Sequence, residues 1–412
     1  MKSDSKQKVF LGLSDIAGFI DDWDYGFKMN GYDTLKASFE YQSPYQNSKL
    51  DFVIKKYQDK IGYFKPGTIS SRLKPWWDNR VKEYFFSKAL RDCDIFVFFW
   101  NSFNIDRSDL EIIKKENKKV ITVFVGDDIR WQPAMLQELT LSKLPIIEYE
   151  NYDYSVQGLG NKISYLRKAE HFSDVILGQR NSAQLALRSY KNLLIPIVAE
   201  KYPCSPLKNE IPIVVHAPTS VGKGTQYVEA AIERFKNEKV NFIYKKVQNL
   251  PLNEALKVYE TSDIIIDQLL TPGGGKLAHE GLAMGKVVLT LVERATYDQK
   301  KPEEIPFVDV RAETIYEKLK EVLLSKELRE DIASKGRPYI LKYHDPKKII
   351  GEVIKRLNNE ITDDFHPEFF RDKFIPESKE SIEVYNKWTA YVKNCDWYKR
   401  TVKSGERSGL NF

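Results

Sequence analysis

Cysteine is scarce in this sequence. Only three cysteines occur in 412 residues, Cys93, Cys204 and Cys395, and none of them belongs to a CxxC pair. Cysteines so far apart form neither the even framework of a disulfide scaffold nor the paired ligands of a structural zinc site. Their scarcity therefore excludes both classes and favours a protein of a reducing compartment.

Long hydrophobic runs are also missing. The longest apolar stretches, of which residues 95–100 are one, are far shorter than the roughly 18 residues that a membrane-spanning helix needs. The first ten residues, MKSDSKQKVF, lack the apolar stretch of a secretory signal. We therefore expect a cytoplasmic protein, whose nearest approach to lipid would be contact with the inner face of the membrane.

Neither sign of charge dominates the composition. The 64 lysines and arginines exceed the 58 aspartates and glutamates, giving a net charge of +6. Over a chain of this length, that excess is no footprint of nucleic-acid binding, although it suits an anionic ligand or lipid surface. The five histidines show no metal-ligand spacing, so we predict neither a metal nor a bound cofactor.

The sequence is rich in short apolar runs that alternate with amphipathic segments. This pattern is typical of parallel βαβ units, so the predicted fold class is α/β. In the first half, strands are predicted at 9–13, 95–100, 120–125, 175–177 and 193–198. The spacing of Ile16, Ile20, Trp23 and Phe27 predicts a helix after the first strand, and a second helix is predicted at 109–117.

The second half repeats the alternation more clearly. Strands are predicted at 213–215, 240–244, 264–267 and 287–291. Helices are predicted at 228–235, 253–260, 276–284, 313–324, 326–335 and 346–358. Together these elements predict a Rossmann-like domain of about 150 residues.

Four prolines between residues 196 and 212 separate the two halves. Proline fixes φ and has no N–H to donate, so this stretch is predicted to connect two domains. We place a Rossmann-like domain at 1–204, a second at 205–360 and an aromatic-rich extension at 361–412. Apolar residues at helical spacing in the extension (Ile382, Tyr385 and Val392) predict a helical segment that packs on the body of the protein.

The loop HAPTSVGKGT, at 216–225, lies between a predicted strand and an amphipathic helix. It is not a P-loop, because that pattern needs Gly at 217 and Ser or Thr at 224, where this chain has Ala217 and Gly224. Gly222 and Gly224 still flank Lys223 just before a helix, a suitable place for a phosphate. The alternative is an ordinary loop with a solvated lysine.

The segment TPGGGKLAHEGLAMGK, at 271–286, is the second candidate for ligand binding. Three glycines let backbone amides approach an anion closely, and the following helix points its N terminus at the same place. Glu280 lies one to two turns into that helix, where a carboxylate can accept two ribose hydroxyls. A tight turn with a solvent-facing Glu280 is the alternative.

These loops, together with SDIIIDQ at 262–268 and HEGLAMGKVV at 279–288, resemble the nucleotide-sugar half of GT-B glycosyltransferases, specifically the retaining family 4-like enzymes. The resemblance covers about residues 205–360. It implies two Rossmann-like domains that face each other across a cleft. The donor-binding positions that it implies are Gly12, Lys223, Val247, Gln248, Gly273, Gly274, Gly275, Lys276 and Glu280.

The resemblance also assigns roles to these positions. Lys223 and the glycine loop would contact the donor diphosphate and Glu280 the ribose, while Val247 and Gln248 would lie near the nucleobase. The implied activity is metal-independent transfer of a hexose from a nucleotide-diphosphate sugar to a glycan or lipid-linked acceptor, in cell-surface polysaccharide biosynthesis.

The first half resembles the acceptor side of the same family, through the strand at 95–100 and KKVITVFVGDDIR at 118–130. Gly12 would form the turn after the first strand. The candidate catalytic residues are Asp127, Asp15 and Lys223. Lys223 would stabilise the charge that grows on the leaving diphosphate, whereas Asp15 or Asp127 would act as a base only in an inverting reaction.

Three positions depart from the family pattern. Pro272 stands where the family usually has its first glutamate, Pro218 where an arginine is common, and Val125 where a histidine is common. The departures motivate a second hypothesis, a non-catalytic relative that serves as a scaffold or regulatory binding subunit. A nucleotide-sugar epimerase is a weaker alternative, because the donor-half loops offer one carboxylate where an epimerase needs paired acid and base groups.

Residues 71–86, SRLKPWWDNRVKEYFF, mix basic and aromatic side chains. One interpretation is attachment to an anionic bilayer, in which aromatic rings lie at headgroup depth. Others are an acceptor loop on which sugars stack, and a helix whose aromatic residues belong to the core.

Overall fold

The structure is a computed structural model that describes residues 6–41, 48–59, 69–132, 155–179, 190–292 and 304–360, with isolated positions besides. It contains two parallel sheets with helices on their faces, so the predicted α/β class is confirmed. Apart from Lys379 and Glu383, the extension predicted at 361–412 lies outside the described residues.

The first sheet has seven parallel strands in the order β3-β2-β1-β4-β5-β6-β7. The strands are β1 (Lys8–Leu13), β2 (Asp33–Ser38), β3 (Phe52–Val53), β4 (Ile95–Phe99), β5 (Lys119–Val123), β6 (Val175–Gly178) and β7 (Lys191–Asn192). Every residue of β4 is buried, as expected for a strand that helices cover on both faces.

The helices of this first lobe follow its strands. They are α1 (Phe19–Met29), α2 (Ile54–Gln58), α3 (Ile69–Asp92), α4 (Ser108–Lys115) and α5 (Val156–Phe172). Helix α1 buries Ile20, Trp23 and Phe27 of the predicted apolar face.

Helix α3 contains most of the mixed basic and aromatic segment. Val81 and Phe85 are buried in the core, whereas Leu73, Trp76 and Tyr84 are exposed. The core interpretation therefore holds for one side of this helix, and the exposed side leaves the other interpretations open.

The second lobe is built on five parallel strands in the order β12-β11-β10-β8-β9. The strands are β8 (Ile213–His216), β9 (Ile243–Lys246), β10 (Ile264–Ile266), β11 (Val287–Thr290) and β12 (Phe307–Asp309). The helices that pack on them are α6 (Thr225–Asn237), α7 (Leu252–Glu260), α8 (Lys276–Ala283), α9 (Ile315–Leu324) and α10 (Lys326–Tyr343). The domain boundary predicted near 205 falls between the two sheets and stays a prediction.

The strand predicted at 193–198 is wrong. These residues leave the first sheet and cross toward the second lobe, where their backbone meets the end of α10. The N–H of Ile197 donates to the carbonyl of His344 at 2.8 Å, and Nδ1 of His344 lies 2.8 Å from the carbonyl oxygen of Ile195. Apolar residues occur here because the crossing is buried.

The chain crosses a second time immediately after His344. A final helix, α11 (Pro346–Leu357), packs against α1 of the first lobe. Asn30 donates from Nδ2 to the carbonyl of Lys347 at 2.9 Å. A single apolar cluster includes Trp23 of α1, Ile350 of α11 and Ile265 of the second sheet, so the two lobes share part of their core.

Among the helices that the structure describes, none combines the length and the apolar composition needed to cross a bilayer.

Candidate functional site

Two loops of the second lobe are joined backbone to backbone. The amides of Leu270 and Thr271 donate to the carbonyl of Gly222 at 3.1 and 3.3 Å. A Cβ at Gly222 would collide with the side-chain oxygen of Thr271, so a larger residue would require the Thr271 side chain to move. The loop after β8 is thereby fixed against the loop before α8.

This junction brings Lys223 to the glycine loop. The Lys223 ammonium pairs with the carboxylate of Asp267, which also accepts the N–H of Gly275 at 2.8 Å. Asp267 is completely buried, while 12% of the Lys223 side chain stays exposed. One carboxylate therefore positions two of the predicted anion-binding groups.

The other two glycines are needed for local structure. Gly273 has a φ of +87° and donates its N–H to the carbonyl of Leu291 at 2.9 Å. A Cβ at Gly274 would lie 3.0 Å from both Ala278 and the Phe307 ring. Since the amides of Gly273 and Gly275 already have acceptors, an anion would be met by Lys223 and the first turn of α8, whose N–H groups lack partners within the helix.

Glu280 lies inside α8 and is 7% exposed, so the alternative of a solvent-facing glutamate is wrong. Its Oε1 accepts a hydrogen bond from the hydroxyl of Tyr202 at 2.9 Å. Burial raises the pKa of this carboxyl to about 6, against the opposing effects of Lys276 and of the Tyr202 hydrogen bond. Tyr202 belongs to the segment between the two sheets.

Lys276, at the start of α8, is bound to the first lobe. Its ammonium pairs with the buried carboxylate of Asp22 on α1 and donates to the carbonyl of Pro196 at 3.1 Å. Asp22 also accepts from the Lys201 ammonium at 3.0 Å. The predicted donor-binding lysine thus makes an ion pair between lobes, which places α1 beside the start of α8.

Replacing Asp22 with asparagine should destabilise the protein by about 3 kcal/mol, because the largely buried Lys276 ammonium would lose its carboxylate. Thermal denaturation would measure the loss. Asp331→Asn, which removes an exposed pair with Lys335 on α10, is the matched control and should change stability by less than about 0.5 kcal/mol. Equal effects of the two substitutions would contradict the importance of the interlobe pair.

The positions proposed for the nucleobase lie after β9. Val247 is buried in the same apolar cluster as Tyr259 of α7, whereas Gln248 is exposed. The Tyr259 phenol lies within electrostatic range of Glu280, which contributes to raising its pKa. Val247 and Glu280 therefore flank one buried region of the second lobe.

Two of the predicted site residues of the first lobe, Gly12 and Asp15, are buried. Gly12 is buried within β1, where a Cβ would lie 3.0 Å from the carbonyl oxygen of Ala37. Asp15 is buried and accepts the N–H of Ile20 at 3.3 Å, at the start of α1. Among the contacts described, none joins Gly12 or Asp15 to Lys223 or Glu280, so their roles in a site stay predictions.

Asp127 and its neighbour Asp128 differ sharply. Asp127 is about half exposed and pairs with Arg130. Asp128 is buried and accepts N–H groups of Val125, Gly126 and Ile129 at 2.9–3.1 Å. Burial raises the pKa of Asp128 to about 6. Asp128 thus stabilises the loop after β5 and leaves Asp127 free of that backbone role.

The structure therefore joins Lys223 to Gly275 through Asp267, next to the helix α8 that carries Lys276 and Glu280. Sequence reasoning did not identify the partners Asp267, Asp22 and Tyr202. Asp267 carried one available signal, since it directly follows the apolar strand β10 at the edge where ligands bind in such folds. Among the described residues, no group of three or more acidic, histidine or cysteine side chains could hold a metal ion.

No family model and no curated protein matches this sequence. Solved structures do match its fold. A sucrose-phosphate synthase from Thermosynechococcus elongatus superposes with a TM-score of 0.56 at 10% identity, over 87% of this chain and 100% of that one. Anabaena HepE in complex with UDP and glucose gives 0.52 at 11% identity, over 85% and 100%.

A third match is the N-terminal domain of a trehalose-6-phosphate phosphatase from Candida albicans. Its TM-score is 0.51 at 10% identity, over 88% of this chain and 98% of that one. At such low identity these likenesses show the fold alone. The predicted GT-B arrangement of two Rossmann-like domains is confirmed.

Proposed function

We propose that this protein is a glycosyltransferase that takes a sugar from a nucleoside-diphosphate donor. The observation that carries the proposal is the position of the Lys223 ammonium beside Gly275, at the start of the helix α8 that also carries the buried Glu280 carboxylate. An ammonium and helix amides suit a diphosphate, and a carboxylate suits the hydroxyls of a ribose. Because Anabaena HepE is known in complex with UDP-glucose, UDP is the first nucleoside diphosphate to test.

In this proposal Lys223 acts while the bond between the sugar and the diphosphate breaks. A bond forms between an acceptor hydroxyl oxygen and the anomeric carbon, while the bond from that carbon to the diphosphate oxygen breaks. Charge then grows on the leaving diphosphate, where a fixed ammonium and oriented N–H groups stabilise it. The reaction would be retaining and independent of metal, with the acceptor proton ending on the leaving phosphate oxygen.

If the reaction inverts instead, a first-lobe carboxylate would take that proton. Asp127 is the better placed candidate, because its side chain is about half exposed. Asp15 is buried at the start of α1, where it accepts a backbone N–H.

The acceptor would be a glycan or a lipid-linked sugar presented at the inner face of a membrane, for cell-surface polysaccharide synthesis. The exposed side of α3 supports this part of the proposal. It presents Leu73, Trp76 and Tyr84, with the Arg80 guanidinium 5.5 Å from the Trp76 ring. Aromatic and basic residues in this arrangement suit a headgroup layer.

A binding panel of UDP, GDP, CDP and ADP tests the proposal. A diphosphate present at 100 times its dissociation constant should stabilise the protein by about 2.7 kcal/mol, which thermal denaturation detects as a higher midpoint. Sugar donors that contain the best-binding nucleoside diphosphate are then screened for sugar transfer or hydrolysis. A protein that responds to none of the four diphosphates would contradict the proposed function, and binding without any turnover would leave a non-catalytic relative.

A further inference from the structure

Tyr202 connects the segment between the lobes to α8 at two points. Its carbonyl accepts a hydrogen bond from Nη1 of Arg337 at 2.7 Å, and the same nitrogen donates to the carbonyl of Ala283 at 2.8 Å, at the end of α8. Its hydroxyl reaches Glu280, one turn earlier in the same helix, at 2.9 Å. The side chain therefore runs alongside α8, held at both ends.

This arrangement fixes the Glu280 carboxylate. Tyr202 is 7% exposed and has little space for another rotamer. In the described hydrogen bonds its hydroxyl contacts Oε1 of Glu280, and no described side chain donates to Oε2. A carboxylate oriented through one oxygen presents the other in a constant direction.

We propose that Tyr202 is a positioning residue for the donor ribose, which holds Glu280 through Oε1 so that Oε2 accepts the ribose hydroxyls. The inference rests on the proposed function. It gives a role to the segment between the lobes, because Tyr202, which orients Glu280, lies in that segment and not in the loops of the second lobe.

The charges around Glu280 determine how this role can be measured. Lys276 faces it from its own helix, Asp22 from α1, Asp267 from the end of β10, and the phenols of Tyr202 and Tyr259 from the connecting segment and α7. Burial raises the pKa of Glu280 to about 6, and the Tyr202 hydrogen bond lowers it by stabilising the ionised form. Removal of the hydroxyl should therefore raise the pKa of Glu280 further.

The sign of the pH effect follows from these interactions. The ionised carboxylate is the better acceptor, so diphosphate binding should weaken as pH falls through the pKa of Glu280. In Tyr202→Phe this loss should begin at higher pH than in the wild type. A substitution that merely loosened the fold would not shift the midpoint of the loss.

The experiment measures affinity by calorimetry between pH 5 and 8.5, for the wild type, Tyr202→Phe and Tyr259→Phe. The probes are whichever of UDP, GDP, CDP and ADP binds the wild type best, and inorganic pyrophosphate, which has no ribose. Tyr259→Phe is the matched control because its phenol is also buried near Glu280 without a described hydrogen bond to it.

We expect Tyr202→Phe to weaken nucleoside-diphosphate binding about tenfold at pH 7, as loss of a hydrogen bond to a charged group does. Its acid midpoint should move to higher pH, and pyrophosphate affinity should stay unchanged. In a Glu280→Gln background the same substitution should cost much less.

The inference is overturned if Tyr202→Phe matches Tyr259→Phe in affinity and pH profile, or if pyrophosphate binding falls as much as nucleotide binding. Both results leave the proposed function intact. A wild-type protein that binds none of the four diphosphates fails at the earlier step, and removes the proposed function together with the inference.

Discussion

Replacement of Lys223 with methionine should lower the rate of sugar transfer by about 10²–10³-fold, the usual cost of removing one preorganised donor from a developing negative charge. Lys223 is the ammonium that the structure places beside Gly275 and the start of α8. Its loss leaves the leaving diphosphate without a fixed cation at that position. Activity with saturating donor, compared between variant and wild type, measures the effect.

Loss of the lysine also leaves Asp267 as an unpaired, completely buried carboxylate, and an uncompensated buried charge costs about 3–5 kcal/mol. The double variant Lys223→Met, Asp267→Asn removes both charges, and the asparagine oxygen can still accept the N–H of Gly275. We expect this variant to regain stability and to remain inactive. Its inactivity would then reflect chemistry and not misfolding.

Lys236→Ala is the matched control for the loss of a lysine. Lys236 lies near the end of α6 and makes an exposed pair with Glu233 at 3.4 Å. Its removal should leave the rate of sugar transfer unchanged and should change the free energy of unfolding by less than about 0.5 kcal/mol. Full transfer by the double variant would show that Lys223 has no part in the reaction.

Gly26→Ala should destabilise the protein through overpacking at the contact between α1 and α11. A Cβ at Gly26 would lie 2.7 Å from the carbonyl oxygen of Pro346 and would collide with Ile350, so α1 and α11 must move apart. Overpacking of this kind costs about 1–3 kcal/mol, and at about 1 °C per kcal/mol for a chain of this length we expect a melting temperature lower by about 2 °C.

Gly351→Ala supplies the control from the opposite helix. Its Cβ would lie 3.4 Å from Oδ1 of Asn30, an ordinary contact, and alanine favours a helix over glycine by about 1 kcal/mol. Stability should stay the same or rise. If Gly26→Ala were equally harmless, the close approach of α1 and α11 would not hold in solution.

Much of the fold could be predicted because parallel strands leave a strong signal. Apolar runs such as 264–266 are covered on both faces, and the amphipathic segments between them show which side packs on the sheet. The short strands β3 and β12 contain too few residues to show the alternation of apolar and polar side chains that predicts a strand. The helix predicted to end at 335 is longer than expected, since α10 continues through Pro338 to Tyr343.

Gly336 shows why that helix continues. A Cβ there would lie 2.9 Å from the carbonyl oxygen of Leu282, so the glycine allows α10 to pack closely on α8. From sequence alone, the same residue is typical of a helix end. Only the packing of α10 on α8, two helices far apart in the sequence, shows that Gly336 lies within a helix and does not end it.

The candidate site was predictable in part for the same reason. Lys223 and Gly275 both follow strands of one parallel sheet, so their loops had to meet at its carboxyl-terminal edge. The identity of their partners depends on side-chain directions. Tyr202 and Asp22 come from other parts of the chain, and no spacing rule links them to Glu280 or Lys276.

The two passages of the chain between the lobes lie side by side, joined by the hydrogen bonds between Ile195, Ile197 and His344. Two crossing segments that are hydrogen-bonded to each other oppose movement of one lobe relative to the other at this place. Lys201 and Tyr202 follow the first crossing directly in the chain, so a change in the relative position of the lobes would disturb their bonds to Asp22 and Glu280 together.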